Sequence, residues 1–518
     1  MGRVLTNSVT LKYCKETSLG VPGVEWFNLE PDTITSFGAE IVKTSRSSIS
    51  KNRQAQKDII SDLNSSVGTT SDLTGSSFRD FIAGFCFAKS INSEITQIKS
   101  TLATSVANSY TVDALSDIQV SKLKAGTLLW VTGGMLPENL GLKSIAIDTI
   151  VGDTSIVVVE NLVDEPSKFR LSMAGTSEPS LSVLSWSWND ADKRATLGGA
   201  GIGARLQSLG VRAGIFVHFG SISSQYDKTI NNVFKDANGT KIYGYARCLD
   251  IGDDYAVFSK TDKTLQYDSV PQTGLIDIIF GEFVRNVQKD DVDFLEQSFQ
   301  FEMTFPNLGE NGADEYQYAL GNYCSTIAIN LPLTEKVTTN YEFLGTDTEN
   351  PVGDAGRKPG AVDALDPTMK AAFGTSSDLA RLRIADVDES GLSTDFKNIN
   401  LTINNNISPE KVLGKLGARF INYGDYSVEI DGQMLFSNSL IINRIRENKT
   451  VSLDFILNNQ EGVIVVDIPS VTIGGGGREF TKNESVTIGS TLKAHEDAIL
   501  KTSIGISIIP VPFEKGYV

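Results

Sequence analysis

The chain has 518 residues, of which 40% are hydrophobic and 21% are charged. That length exceeds one ordinary hydrophobic core and predicts about three or four domains of a globular rather than a disordered protein. The formal net charge of −17 argues against a conventional nucleic-acid-binding protein, because such proteins neutralise phosphates with Lys and Arg.

Residues 1–20 are predicted to form an extended N-terminal arm. Strands are predicted over Trp26–Val42 and Asp58–Val67, separated by a stretch that is poor in apolar residues. A helix is predicted over Ser76–Phe87, because Ser76 or Ser77 can cap it and four apolar side chains recur at helical spacing. Those side chains are Phe78, Phe81, Ile82 and Phe85.

The stretch between the first strands is basic in an otherwise acidic protein. It carries Lys43, Arg46, Lys51, Arg53 and Lys57. Two interpretations stay open for this loop. It is either a solvated surface turn or a contact surface for an acidic partner, where opposite charges would favour a defined register.

The middle of the chain contains a pair of similar segments, Leu123–Glu160 and Val211–Lys260. Each has an Ala-Gly before an apolar strand and a later Gly-Asp turn before another strand, a pattern typical of small β domains. We therefore predict one inserted β domain over residues 106–195 and a second over 196–285. Together they interrupt a larger β module, whose two parts lie before and after them in the sequence.

Residues 294–345 give the clearest strand pattern. Apolar and polar side chains alternate from Phe299 to Phe305, which indicates a strand with one buried face. Two further strands are predicted at Ser325–Leu331 and Val337–Phe343, with an aromatic bend before the first of them. We assign residues 21–105 and 286–345 to the two parts of one module.

A Gly-, Asp- and Pro-rich stretch, residues 346–375, is predicted to link this module to a second one over residues 376–518. The second module repeats the order of the first: a strand at Asn398–Asn404, a polar loop, a strand at Tyr426–Leu435 and a helix at Asn438–Glu447. Further strands follow the helix, and Gly474–Gly477 is predicted to be a hairpin or loop tip. The order indicates an internal duplication, with chance similarity between two β-rich regions as the alternative.

The sequence offers little chemistry. The two histidines, His218 and His495, lie far from each other and from the cysteines, so we predict no catalytic pair, no metal site and no cofactor. The segment Leu197–Ala204 lacks the strand and helix of a dinucleotide fingerprint and is predicted to be a flexible loop. No apolar run approaches the roughly 18 residues of a membrane helix, so no membrane insertion is expected. The four cysteines are predicted to be buried free thiols, as in a reducing cytosol.

Two blocks resemble known proteins. The first reads DFLEQSFQFEMTFPNL and EYQYALGNYCSTIAINLPLTEKVTTNYEFLG, and the second is NINLTINNNISPEKVLGKLGARFINYGDYSVEIDGQMLF. Both are similar to stretches of the tail tube (major tail) proteins of long-tailed, non-contractile bacteriophages. The resemblance implies a mainly β fold with two tail-tube β-sandwich or barrel modules, each with a short helix, plus inserted small β-barrel domains.

The resemblance also implies a structural virion protein without enzymatic activity. The family's tube is a stack of rings with six modules each, so two fused modules imply a homotrimer with pseudo-sixfold symmetry. Implied partners are other copies of the chain, the tape measure protein, the tail terminator and distal tail proteins, and double-stranded DNA that passes without sequence-specific binding. Assembly is expected in the host bacterial cytoplasm. The alternatives are a β-sandwich adhesin or surface protein and a secretion-system tube protein.

Two groups of site residues follow. The long loop of the first module is expected to contact the next ring through Arg46, Lys51, Arg53 and Lys57. Acidity can serve solubility alone, but with the tail tube resemblance it suggests a channel lined with carboxylates, which repels DNA phosphates and lets the duplex slide. Acidic strand residues are therefore expected to face the lumen. The candidates are Glu302, Asp425, Glu429 and Asp431.

Overall fold

The structure is a computed structural model of the full chain. The fold is mainly β, with five α-helices and large antiparallel sheets in the part described. The described residues are 5–45, 57–92, 98–104, 108–165, 167, 169–177, 185–189, 194–219, 244–259, 272–273, 277–308, 312–349, 351–366, 369–386, 391–392, 395–436 and 440–511.

The first module begins with four strands and a helix. They are β1 Thr10–Ser18, β2 Val21–Leu29, β3 Thr33–Thr44, β4 Ile59–Asp72 and α1 Gly75–Phe85. The predicted strand Trp26–Val42 is thus two strands, because the polar turn at residues 30–32 divides it. Helix α1 lies where the sequence predicted it, and Phe78, Phe81, Ile82 and Phe85 are fully buried on one face. The predicted cap was wrong, because the helix begins at Gly75 after Thr74, so Ser76 and Ser77 lie within it.

The N-terminal segment is a strand of the sheet rather than an arm. Strand β1 pairs with β2 and also with β19, Ser298–Phe305. Its alternating Leu11 and Tyr13 are buried in the core, and Tyr13 donates a hydrogen bond to Asp80 of α1. Burial of these two large side chains holds the segment in place.

The described residues of the insertion form thirteen strands that belong to one sheet system. They are β5 Ile98–Thr104, β6 Ser109–Val112, β7 Thr127–Thr132, β8 Gly141–Ser144, β9 Ser155–Val157, β10 Phe169–Ser177, β11 Ser185–Asn189, β12 Arg194–Gly198, β13 Phe216–Phe219, β14 Gly244–Ile251, β15 Tyr255–Ser259, β16 Gln272–Thr273 and β17 Asp277–Ile279. Two helices, α2 Asp117–Lys122 and α3 Ile202–Ser208, pack against them.

The two parts of the insertion share one core. Strand β10 of the first part pairs with β17 of the second, and β17 pairs with β13. One apolar cluster extends from Tyr110 to Phe283 across the expected boundary at residue 195. The segment predicted as a loop at Leu197–Ala204 leads instead into helix α3, and its preceding strand β12 is antiparallel to both of its neighbours.

The chain then completes the first module and enters the second. The first set is β18 Glu282–Arg285, β19, β20 Glu315–Leu331, β21 Thr338–Gly345, β22 Asp347–Thr348 and α4 Pro359–Val362. The second set is β23 Leu379–Asp386, β24 Gly391–Leu392, β25 Phe396–Asn404, β26 Ser408–Glu410, β27 Phe420–Asn422, β28 Ser427–Leu435, α5 Leu440–Glu447, β29 Thr450–Asn458, β30 Val463–Glu479, β31 Thr487–Ala494 and β32 Gly505–Ile509.

Three expectations for this part need correction. The aromatic bend before Ser325 is the first half of the long strand β20, which continues through an irregularity in its pairing. Residues 474–477 are not a loop tip, because they lie within β30 and pair with β31. The predicted linker is packed against the first module: Leu365 exchanges backbone hydrogen bonds with β2, and Ala361 and Phe373 are buried.

Eight strands form one continuous antiparallel path, four from each module. Its order is β3–β4–β21–β20–β25–β28–β31–β30. The first four and the last four correspond in chain order and in pairing, which supports the duplication inferred from the sequence. The modules join where β20 pairs with β25.

Candidate assembly surface

The eight-stranded path has one apolar and one polar face. On β25 the residues Ile399, Leu401 and Ile403 are buried, whereas the alternating asparagines and threonine are partly or fully exposed. The buried side chains join the main core, together with helix α1 and strand β29. Because strand side chains alternate between faces, the opposite face of this path is largely open to solvent in a single chain, except along the first half of β30, which is buried on both faces.

The polar face is acidic. Five exposed carboxylates lie on it, and they outnumber the two lysines, Lys43 and Lys493, that the same registers place there. The Nζ of Lys493 lies 3.6 Å from Oε1 of Glu429, and the hydroxyl of Thr491 donates to Asp431 at 2.8 Å. The carboxylates are Glu40, Glu342, Glu429, Asp431 and Glu479.

Two of the four lumen candidates lie on this face, and two do not. Glu429 and Asp431 are exposed on β28. Asp425 is exposed in the turn before that strand. Glu302 is completely buried on the other side of the first module. Its alternation with Phe301 and Met303 suggested a wet face, but both faces of β19 are covered.

Glu302 is the centre of a buried ion-pair network. Its carboxylate accepts hydrogen bonds from Arg357 at 2.9 Å and from the hydroxyl of Tyr318 at 2.7 Å, and Lys12 lies 3.9 Å away. Arg357 comes from the segment predicted to be a linker, and its guanidinium also stacks over the ring of Tyr316. The network fastens that segment to β19 and β20 of the first module.

The path ends at two strand edges that lack a partner within the described residues. Strand β3 pairs only with β4. Strand β30 pairs with β29 and β32 along its first half, but residues 474–479 pair only with β31. Such edges expose rows of backbone donors and acceptors and invite pairing with another chain.

The inter-ring candidates Arg46, Lys51 and Arg53 lie outside the described residues, and Lys57 is exposed just before β4. The corresponding connection of the second module is the hairpin β26–β27. Its tip exposes Val412, Leu413 and Leu416. Lys411, which directly follows β26, forms an ion pair with Asp62 of β4, so the hairpin is tied to the sheet of the first module.

A buried charge cluster attaches the insertion to the second module. Asp454 and Asp467 face each other across β29 and β30. Arg247 of the insertion binds Asp467, and Arg381 and Arg383 of β23 bind Asp454. Sequence analysis missed this cluster, because its members are separated by up to 220 residues and no spacing connects them.

Burial and the neighbouring arginines shift the pKa values of the two carboxyl groups in opposite directions. Burial raises the pKa of Asp467 to about 6, against the opposing effect of Arg247. Burial alone would also raise the pKa of Asp454, but the guanidinium groups of Arg381 and Arg383 outweigh it and hold that pKa below its ordinary value. Around the cluster, Trp130 and Phe216 of the insertion pack against Ile456 and Val465 of the module.

The described residues contain no group of three or more His, Cys, Asp or Glu that could hold a metal ion. His218 is buried in β13, where burial lowers its pKa to about 3. All four cysteines are buried free thiols, as expected. None of the described helices is long and apolar enough to cross a membrane.

Comparison with known families agrees with this architecture. A family model described as phage tail tube protein matches residues 6–488. The chain belongs to the phage tail tube protein family. It is therefore a structural component of a phage virion, and family membership implies self-assembly into a tube. No curated protein matches the sequence. The match confirms the resemblance drawn from the two sequence blocks, and it also extends across the insertion, which precedes both blocks.

Proposed function

We propose that three copies of this chain close into a ring, and that stacked rings form the tail tube through which the genome passes into the host cell. The observation that carries this proposal is the eight-stranded path, built from two corresponding halves and ending at two edges without partners. Closure in a ring gives every edge a partner and leaves none exposed to solvent.

The strand count favours three chains. With strands about 4.8 Å apart and tilted by about 40°, twenty-four strands give a barrel roughly 48 Å across at the backbone. Side chains about 6 Å long on the inner face leave a bore of roughly 35 Å, which is wide enough for one DNA duplex. Two chains would leave a bore of only about 20 Å, and six would give a barrel of roughly 95 Å.

The polar face suits the inner surface of such a barrel. Its apolar counterpart is already covered by the chain's own core, so the polar side is the one that can border a water-filled bore. Its carboxylates would repel the phosphates of duplex DNA, which carry about one charge per 1.7 Å of axis. The wall would then guide DNA without holding it.

The long connections are placed to join successive rings. The loop with Arg46, Lys51, Arg53 and Lys57 connects β3 to β4, and the hairpin with Leu413 is tied to that same strand β4 by the ion pair between Lys411 and Asp62. Apolar side chains at the hairpin tip would be buried by the next ring, which would contribute about 25 cal/mol per Å² of apolar area. Basic side chains of the loop would add electrostatic complementarity.

The tube also has to bind the other components of the tail. A tube that stores the tape measure protein must bind it within the bore, and its two ends must meet the tail terminator and distal tail proteins. These partners and assembly in the bacterial cytoplasm are parts of the proposal that rest on family membership alone.

Electron microscopy of the purified protein tests the function directly. Hollow rings or tubes with threefold symmetry, pseudo-sixfold in projection, are the expected result. A mass measurement of single rings should give three chains of 56.0 kDa each. Six full-length chains in a ring would contradict the fused-module arrangement, and a protein that stays monomeric at high concentration would contradict ring assembly.

A further inference from the structure

The joint between the two modules of one chain is a template for the joint between two chains. In β20–β25, Asn330 lies opposite Asn400, Ile329 opposite Leu401 and Ala328 opposite Thr402. In this joint, β25 pairs with the second half of β20. It lies on the same side of β20 as β19, which pairs with the first half. The second half of β30 is free on the corresponding side, where β29 pairs with the first half.

The pairing registers fix which residues correspond in β3 and β25. Phe343 of β21 pairs with Val67, which pairs with Phe37. Leu492 of β31 pairs with Ile430, which pairs with Leu401. Phe343 and Leu492 occupy the same place. Phe343 lies opposite Cys324, one position after the last residue of β20 that pairs with β19, and Leu492 lies opposite Ile473, one position after the last residue of β30 that pairs with β29. Phe37 therefore corresponds to Leu401.

The same counting identifies which residues of β30 correspond to those of β20. Ala328 lies opposite Asn340, three residues before Phe343, and Gly477 lies opposite Gly489, three residues before Leu492. Gly477 therefore corresponds to Ala328, Arg478 to Ile329 and Glu479 to Asn330. Both long strands carry an irregularity in this pairing, two residues apart in the correspondence, and beyond it the two registers agree.

We propose that residues 477–479 of one chain pair antiparallel with residues 36–38 of a second copy. The register places Glu479 opposite Ser36, Arg478 opposite Phe37 and Gly477 opposite Gly38 of the next copy. This inference rests on the proposed ring and specifies the joint that closes it.

Burial supports the assignment. Leu401 is fully buried and Ile329 nearly so, because each has a neighbouring strand on both sides. Their counterparts are not: Phe37 is half-buried at the open edge of β3, and Arg478 is exposed at the open edge of β30. Addition of a strand at each edge would give these positions the environment that their counterparts already have.

The two joints differ in chemistry. The joint within the chain brings together Ile327, Ile329 and Leu331 with three buried aliphatic residues of β25. The edge of β30 offers Gly474–Gly477 and Arg478, whose guanidinium lies over the ring of Phe436. Pairing there depends mainly on backbone hydrogen bonds, so the joint between chains is weaker than the one within the chain. Folding of the subunit and closure of the ring are thereby separate steps.

Disulfide trapping tests the register. Ser36→Cys and Glu479→Cys in one chain would place two thiols directly opposite across the joint, at a Cα separation of about 4.5–5.5 Å, which a disulfide can bridge. Ser36→Cys with Thr481→Cys is the control, because it shifts one thiol by two residues to about 7–8 Å, out of reach. The four native thiols are buried and will not interfere.

Asn330→Cys with Asn400→Cys serves as the positive control, because it forms a disulfide within one chain at the corresponding place. The expected result for Ser36→Cys/Glu479→Cys is a covalent series that ends at three chains on a non-reducing gel, at several-fold higher yield than for the shifted pair. Equal or higher yield for the shifted pair overturns the register. If rings are visible by microscopy but neither cysteine pair cross-links, the proposed joint is wrong, whereas the proposed ring assembly still stands. Absence of rings from the unmodified protein overturns the proposed function and the joint together.

Discussion

Ile329 of β20 lies directly opposite Leu401 of β25, and this pair joins the two modules of the chain. The residues are 72 positions apart in the sequence, and both are buried in the main core. Each belongs to a four-stranded half with the same strand order. The modules are therefore not separate domains on a flexible linker, because one sheet passes through both.

The module joint should be sensitive to loss of apolar volume. We expect Leu401→Ala to lower the free energy of unfolding by about 2–5 kcal/mol, because it removes a fully buried side chain and leaves a cavity. Denaturant unfolding measures the change. Thr402→Ala on the polar face of the same strand is the control, with an expected change within about 0.5 kcal/mol. Equal effects of the two substitutions would show that the joint is not a core element.

The Glu302 network should contribute to stability rather than to the bore. We expect Glu302→Ala to destabilise the subunit by about 3–5 kcal/mol, because Arg357 and Lys12 lose a buried counter-charge. Glu429→Ala removes an exposed carboxylate and should change stability by about 0–1 kcal/mol. Thermal or denaturant unfolding of both variants distinguishes them. A mild effect of Glu302→Ala would mean that the linker segment is held by other contacts.

The charge cluster under the insertion predicts a pH dependence. An unfolded Asp titrates near pH 3.9, and burial raises the pKa of Asp467 to about 6 in the folded chain. Between these values the folded state binds a proton that the unfolded state does not. The contribution of Asp467 to stability is therefore full below about pH 4 and is lost as the pH rises to about 6.

Asp467→Asn should remove that slope. Its stability relative to the unmodified protein should increase by up to about 2–3 kcal/mol between pH 4 and pH 7. Urea unfolding at four pH values gives the difference directly. Asp431→Asn on the exposed face is the control and should follow the unmodified protein. A difference that stays constant with pH would show that Asp467 is ionised throughout this range.

The acidic face should determine whether the tube binds double-stranded DNA. Replacement of Glu342, Glu429 and Asp431 by Lys should leave ring formation intact, because all three side chains are exposed. The altered tubes should retain double-stranded DNA at low salt and release it as the salt concentration rises, since neutralised phosphates release counterions. Co-sedimentation of tubes with DNA measures retention.

Asp153, Asp253 and Asp254 of the insertion provide the matched control for that experiment. Their replacement by Lys changes the net charge by the same amount but lies off the polar sheet. Retention of DNA by the control tubes to the same extent would mean that net charge, not the bore, determines DNA binding.

The basic loop should govern elongation. Replacement of Arg46, Lys51 and Arg53 by Glu should leave single rings intact but block their stacking, because like charges would then meet across the ring interface. Tube length by electron microscopy is the measurement, and the unmodified protein should also elongate less at high salt. Lys122, Lys124 and Arg194 of the insertion, changed to Glu together, form the control. Normal elongation of the loop variant would show that the loop is only a solvated turn.

Local sequence patterns alone were sufficient to predict much of the secondary structure and the two-module organisation of this protein. Alternation identified β19, β25 and β28, helical spacing identified α1 and α5, and the repeated order of elements indicated two fused modules. These features depend on residues within one or two turns or strands, so they are readable along the chain. The family resemblance in two blocks was sufficient to predict the class of protein.

Only the tertiary structure decided how these elements combine. Whether an acidic strand residue faces solvent depends on what covers the strand, which is why Glu302 is buried while Glu429 is exposed. Gly474–Gly477 resembles a loop in sequence, yet β31 holds it in a strand. Arg247 and Asp467 meet only because the insertion packs on the second module. Contacts between distant segments leave no periodic signal, because each partner is constrained by its three-dimensional neighbours rather than by its place in the chain.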